Sequence, residues 1–186
     1  VRRGGLVAVL ALAAVAVRAQ AVPARVSAPA AAPLVVYGYP YAGRCPDDGV
    51  EDVVDRWGMY ACNCTSYVAW ALVANRQRID WFVPGAMNAW NWPHVARLAG
   101  LRVDRTPAPG AVAVWPAVSR PFGHVAYVIR VHRGGSIDVA EYNYPLLGAD
   151  TFAFDVRTFV SPAGAVFIHV PRVGRRSSSP RPSRLR

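Results

Sequence analysis

The chain has 186 residues, 53% of them apolar, with three cysteines and a formal net charge of +10. That length suits one domain with extra segments, large enough to bury a core without a metal or many disulfides. The charge does not mark a nucleic-acid binder: all 21 basic residues are arginine, and Pro40 to Val170 holds 11 of them with all 11 acidic residues, so this stretch is formally neutral.

The excess lies at the two ends. Arg2 and Arg3 precede an apolar run from Leu6 to Val17 and the small-residue pattern Ala19-Gln20-Ala21, which together read as a secretory signal peptide over residues 1–21. The run is shorter than the about 20 residues that span a bilayer, although a retained N-terminal membrane anchor is the alternative. Residues 22–40 are rich in alanine, proline and valine without a period and read as a linker. The domain is expected over residues 41–171. Asp47, Asp48, Glu51, Asp52 and Asp55 open it but lack the alternating spacing of a calcium loop, so no metal and no other cofactor is expected.

A helix is expected to start at Cys64, with Asn63 as N-cap and Tyr67, Val68, Ala71 and Leu72 at helical spacing. One or two short helical pieces follow around Asn88 to Leu98, broken or restarted by Pro93. Beyond Gly100 the pattern changes to short β-rich runs: Leu101 to Asp104, Ala111 to Trp115, His124 to His132, Ser136 to Tyr144, Phe152 to Arg157 and Ala165 to Val170. Helices first and strands afterwards predict an α+β domain with N-terminal helices packed on an antiparallel sheet. The tail, residues 172–186, has arginine, serine and proline with almost nothing to bury, and is expected to be disordered and able to hold weakly to anionic polymers or phospholipid.

A cysteine in the first turn of a helix sits at the positive end of the macrodipole, where a thiolate is favoured and the sulfur is armed as a nucleophile. Cys64 has that position. Among the histidines, His124 and His132 lie eight residues apart on one strand, hence about 26 Å apart, so only one can reach Cys64. His132 leads into the turn Arg133-Gly134-Gly135, while His94 and His169 read as surface or structural residues. Glu141 and Asn143, two apart on a strand, are expected to share a face, with Tyr142 and Tyr144 on the other.

Four blocks carry a family resemblance: Cys64-Thr65-Ser66-Tyr67-Val68-Ala69-Trp70, Pro109 to Trp115, Gly123-His124-Val125-Ala126-Tyr127-Val128, and Glu141-Tyr142-Asn143-Tyr144. In this order and spacing they resemble the CHAP family, cysteine- and histidine-dependent amidohydrolase/peptidases of bacterial cell-wall peptides. The resemblance implies a papain-like fold and a secreted or wall-associated peptidoglycan hydrolase, either an N-acetylmuramoyl-L-alanine amidase or a peptide endopeptidase. It implies Cys64 as nucleophile and His124 as base, with Glu141 and Asn143 as orienting and supporting residues in an order left open. Asn88, Trp90, Trp115, Tyr142 and Tyr144, with Trp92, are candidates for a groove around a wall peptide. A nucleophilic Cys64 must be free, which favours a Cys45–Cys62 disulfide. The partner expected is the peptidoglycan peptide, with no nucleic acid and a tail available to anionic wall polymers or membrane; oligomeric state is not legible. A non-catalytic wall-binding module is the competing class, and intact Cys64, His124, Glu141 and Asn143 count against it.

Overall fold

Six strands and two α-helices follow one another in the computed structural model, which describes residues 33–45, 53–83, 88–118, 120–145 and 151–174. The strands are β1 (Arg102–Asp104), β2 (Val112–Trp115), β3 (His124–Val131), β4 (Ile137–Tyr142), β5 (Phe154–Val160) and β6 (Val166–His169), in the antiparallel order β1-β6-β2-β3-β4-β5. Each expected run from Leu101 onward thus becomes a strand, and the α+β layout holds.

Helix α1 (Cys64–Ala74) packs on β3 and β4. Ala, Leu and Tyr fill it, and it stops where Arg76 turns left-handed (φ 58°), with the Arg76 N–H donating to Val73 O and the Gln77 N–H to Leu72 O. That bond pair is a Schellman ending, here without the usual glycine. Tyr67, Val68 and Leu72 face Val112, Val125, Tyr127 and Ala140 in the larger core, while Ala126, Val128, Ile137, Val139 and Phe167 form a second core on the other face of the sheet. The period of two along β3 therefore fills two cores. Helix α2 (Trp92–Leu98) follows a short 3-10 turn, Ala89–Asn91, and has Pro93 in its first turn, where a missing N–H costs nothing.

Residues on both sides of 41–171 also pack on the fold. Residues 33–40, read as linker, run over α1: Asn75 brackets the Val35 backbone with bonds of 2.8 and 2.7 Å, Tyr67 Oη donates to Val36 O at 2.8 Å, and Tyr39 is buried. Without this strap the outer side of an almost wholly apolar helix would face water. At the other end Arg172 pairs with Gln77 and the Val173 N–H donates to Arg76 O, so the chain stays attached past residue 171. The expectations for residues 1–21, for 22–32 and for the tail beyond Gly174 lie outside the described residues, as do Asp47, Asp48, Glu51 and Asp52.

Candidate active site

The turn into α1 is held from two sides. Cys62 is joined to Cys45 by a disulfide and adopts a left-handed φ of 65°. Its N–H donates to Tyr39 Oη at 3.0 Å, the Tyr39 hydroxyl is 2.6 Å from Ser66 Oγ, and Ser66 donates to Asp55 Oδ2 at 2.5 Å. The other Asp55 oxygen accepts the Trp57 and Met59 N–H groups, so this carboxylate serves the turn. A buried chain with every member paired rigidifies its surroundings. Cys64, two residues on, is free and half-buried at the first position of α1.

Asn63 occupies the N-cap position with extended backbone, yet its side chain caps nothing. Its Oδ1 accepts instead from Asn143 Nδ2 at 2.9 Å. The first-turn N–H groups of α1 consequently receive no side-chain cap, which leaves donors free at a helix N-terminus, where negative charge is favoured.

His124 opens β3 and is 1% exposed, and its Nε2 lies 2.7 Å from Oε2 of Glu141, which is fully buried on β4. Nδ1 is the nitrogen left for Cys64, the ring's other polar neighbour. Burial works against a charged ring here. Cys64, through charge and as hydrogen-bond partner, and then Glu141 outweigh it, and the imidazole is pushed up to about 9. Burial likewise opposes the Glu141 carboxylate, but bonds and charge from His124 and Arg157 hold it below the ordinary carboxylate range. An ionised carboxylate only accepts, so the Nε2–H donates to it.

Arg157, on β5, was not singled out by the sequence. Its Nε donates to Glu141 Oε1 and its Nη2 to Oε2 at 3.0 Å. The register explains the reach: Val139 faces Arg157 and Glu141 faces Asp155, so Arg157 and Glu141 are diagonal neighbours on one face. A lone arginine in a strand was the available signal, but the pairing register was needed to use it.

The segment from residue 54 to residue 143 matches the family model for the CHAP domain. Over these residues the chain is similar to CHAP domains. Cys64, His124, Glu141 and Asn143 all fall within this segment. The chain is 33% identical over 119 residues to a probable autolysin LDP of Staphylococcus aureus, a match covering 64% of this chain and 40% of that protein. It is 44% identical over 57 residues to the staphylococcal secretory antigen ssaA2 of the same species, covering 31% of this chain and 20% of the relative. A crystal structure of an N-acetylmuramoyl-L-alanine amidase from Staphylococcus aureus shares the fold, with a TM-score of 0.51, 24% identity, and coverage of 60% of this chain and 31% of that one. This chain therefore spans two fifths or less of the length of these relatives.

The fold treats the four polar candidates differently from a simple strand alternation. Strand β4 ends at Tyr142, and Asn143 turns left-handed (φ 51°), its Oδ1 accepting the Phe152 N–H at 2.9 Å. The period of two is lost there, so Asn143 faces Asn63 while Glu141 faces His124. Tyr142 and Tyr144 part for the same reason. Tyr142 is buried in the larger core with its hydroxyl 3.3 Å from Cys45 Sγ, whereas Tyr144 stands edge-on to the His124 ring, centroids 5.2 Å apart, under the Arg157 guanidinium at 3.5 Å.

Tyr142 thus has almost no exposed surface. Buried too are Trp115, which packs into the second core 6.4 Å from the His124 ring, and Trp92, against Trp81 and Phe82. Asn88 and Trp90 are exposed, and the Trp90 N–H donates to Phe122 O at 3.1 Å, docking this turn beside the start of β3. Gly123 permits that approach, since a Cβ there would come within 2.5 Å of the Trp90 nitrogen and its φ is 77°. The other histidines stand apart: His132 pairs with Asp138, His169 with Asp104, and His94 is exposed on α2.

Proposed function

We propose that this chain is a secreted, cysteine-dependent peptidoglycan hydrolase that cleaves an amide bond of wall peptides. The observation that carries the reading is a free thiol at the start of α1 beside a buried histidine whose far nitrogen is bonded to a buried carboxylate. Similarity to a probable autolysin and to an N-acetylmuramoyl-L-alanine amidase supports a wall substrate. The Cys45–Cys62 disulfide and the signal-like N-terminus support export, free or with the N-terminus kept as an anchor.

The Cys64 thiolate attacks the amide carbonyl carbon, and the uncapped N–H groups of α1 receive the oxyanion. The His124 imidazolium gives its proton to the nitrogen of the breaking C–N bond, releasing the amine and leaving a thioester. Water then adds to the thioester as His124 takes its proton, and the acid departs from sulfur. Glu141 holds the ring in place and stabilises its charge, as the carboxylate of a catalytic triad does. Asn143 supports the site through Asn63, and the exposed Trp90 and Asn88 stand on the turn docked beside the start of β3, where a wall peptide can meet them.

Mass analysis of fragments released from purified sacculi tests this. New free lactyl carboxyl groups identify an amidase, and new peptide termini an endopeptidase. Binding without any fragment would replace the reading with a wall-binding module.

A further inference from the structure

Glu141 is a carboxylate with no exposed surface, and His124 occupies only one of its oxygens. An unpaired buried charge of that kind is not tolerated, so whatever pairs with it controls both its ionisation and its aim. That group is Arg157. Its guanidinium forks over both carboxylate oxygens. Its flat face is covered by the Tyr144 ring, whose edge in turn meets the ring of His124. The four side chains close a loop: His124 on Glu141, Glu141 on Arg157, Arg157 on Tyr144, Tyr144 on His124.

We propose that Arg157 is a positioning residue of this site, holding the Glu141 carboxylate charged and aimed at His124 while Tyr144 fixes the guanidinium in plane. The inference rests on the hydrolase reading above, and it assigns a role that neither the sequence motifs nor the four motif residues contain. Arginine is suited to it because the planar fork satisfies two oxygens at once, which an ammonium cannot do. Its charge also counters that of Glu141, so the imidazolium is stabilised by a carboxylate that is itself partly neutralised.

The charged and titratable groups around the loop are few: Cys64 and Glu141 face His124, His124 and Arg157 face Glu141, and Tyr144 and Asp155 face Arg157. The sign of the effect follows. Without the guanidinium charge Glu141 keeps its proton to higher pH, which moves the acid limb of activity upward. Once ionised, the less neutralised carboxylate holds the imidazolium proton to higher pH, which moves the alkaline limb upward too. A side chain that merely packed would lower activity evenly and move neither limb.

The test is kcat/KM against pH for full-length wild type, Arg157→Gln, Arg157→Lys and Cys64→Ala on a soluble muropeptide, with circular dichroism confirming fold. Both arginine substitutions keep most of the side-chain length. Arg157→Gln is expected to lose about tenfold or more near neutrality, with both limbs displaced upward by about one pH unit. Arg157→Lys should return the limbs to their wild-type positions while kcat remains below wild type, since charge is restored without the fork. Folded Arg157→Gln with wild-type limbs, or Arg157→Lys displaced as far as Arg157→Gln, would overturn the proposal. Residual turnover in Cys64→Ala would instead refute the hydrolase site itself, whatever the arginine variants did.

Discussion

The two ends of β3 carry nearly the same apparatus. At one end His124 bonds Glu141, and just past the other His132 bonds Asp138, both at 2.7 Å and both to a carboxylate on β4. Each carboxylate has an arginine near it and each ring an aromatic neighbour: Arg157 and Tyr144 at the first, Arg130 and Phe159 at the second. The differences are burial and sulfur. The first pair is 1% and 0% exposed, the second 19% and 9%, and Arg130 stands 3.8 Å from Asp138 with most of its side chain in water. Only the first end meets the start of α1 and Cys64. A histidine–carboxylate pair is thus something an antiparallel hairpin makes readily; the helix arriving at one end is what gives that end a free thiol.

The widest separation between the two ends is expected from deletion of the reacting groups. Cys64→Ala should abolish turnover, and His124→Ala should cost roughly 10²- to 10⁴-fold, while His132→Ala leaves the rate nearly unchanged in the same muropeptide assay. Comparable losses from His124→Ala and His132→Ala would erase the contrast. Glu141→Gln should fall between these extremes and exceed Asn143→Ala, because Glu141 touches the ring and Asn143 acts through Asn63. The reverse order would make Asn143 the orienting residue.

Titration sharpens the contrast further. His124 is pushed up to about 9, so its imidazolium persists through neutrality and is lost as pH climbs through that value; activity should decline there, since the leaving amine then finds no proton. Cys64 is one of the causes raising His124, so in Cys64→Ala the His124 ring should titrate at lower pH than in wild type, as followed by proton NMR of the ring C–H signals. An unmoved His124 would mean that the sulfur does not act on the ring.

Two smaller effects concern the frame around the site. Removing the Cys45–Cys62 bridge, which closes a loop with a separation of 17 residues, should lower stability by about 3 kcal/mol in urea titration. Iodoacetamide should label Cys64 alone in the native wild-type protein. Truncation after Gly174 is expected to leave turnover on a soluble muropeptide unchanged. Co-sedimentation with intact walls should weaken at low salt, and the difference should vanish at high salt as ions screen the arginines. Equal wall binding at every salt concentration would make the tail a passive end.

Local rules were enough for much of this molecule. The period of two and the glycine and proline punctuation located all six strands to within a few residues, and Asn63 before an alanine-rich apolar run located α1. Cys64, His124 and Glu141 were legible because their residue types sit at element starts and ends in motif order. The pairing of Cys45 with Cys62 followed only from the demand that Cys64 be free. What the chain order could not carry was anything set by a partner distant in sequence or by a broken backbone period. The left-handed turn at Asn143 sends Asn143 to Asn63 and separates Tyr142 from Tyr144. The register of β5 on β4 brings Arg157 diagonally onto Glu141, and the strap of residues 33–40 becomes structure only because α1 is there to be covered. Tryptophans 92 and 115 look alike as groove candidates in sequence and are buried in the fold, because burial depends on which faces the sheet and helices close, a property of their packing that no single segment contains.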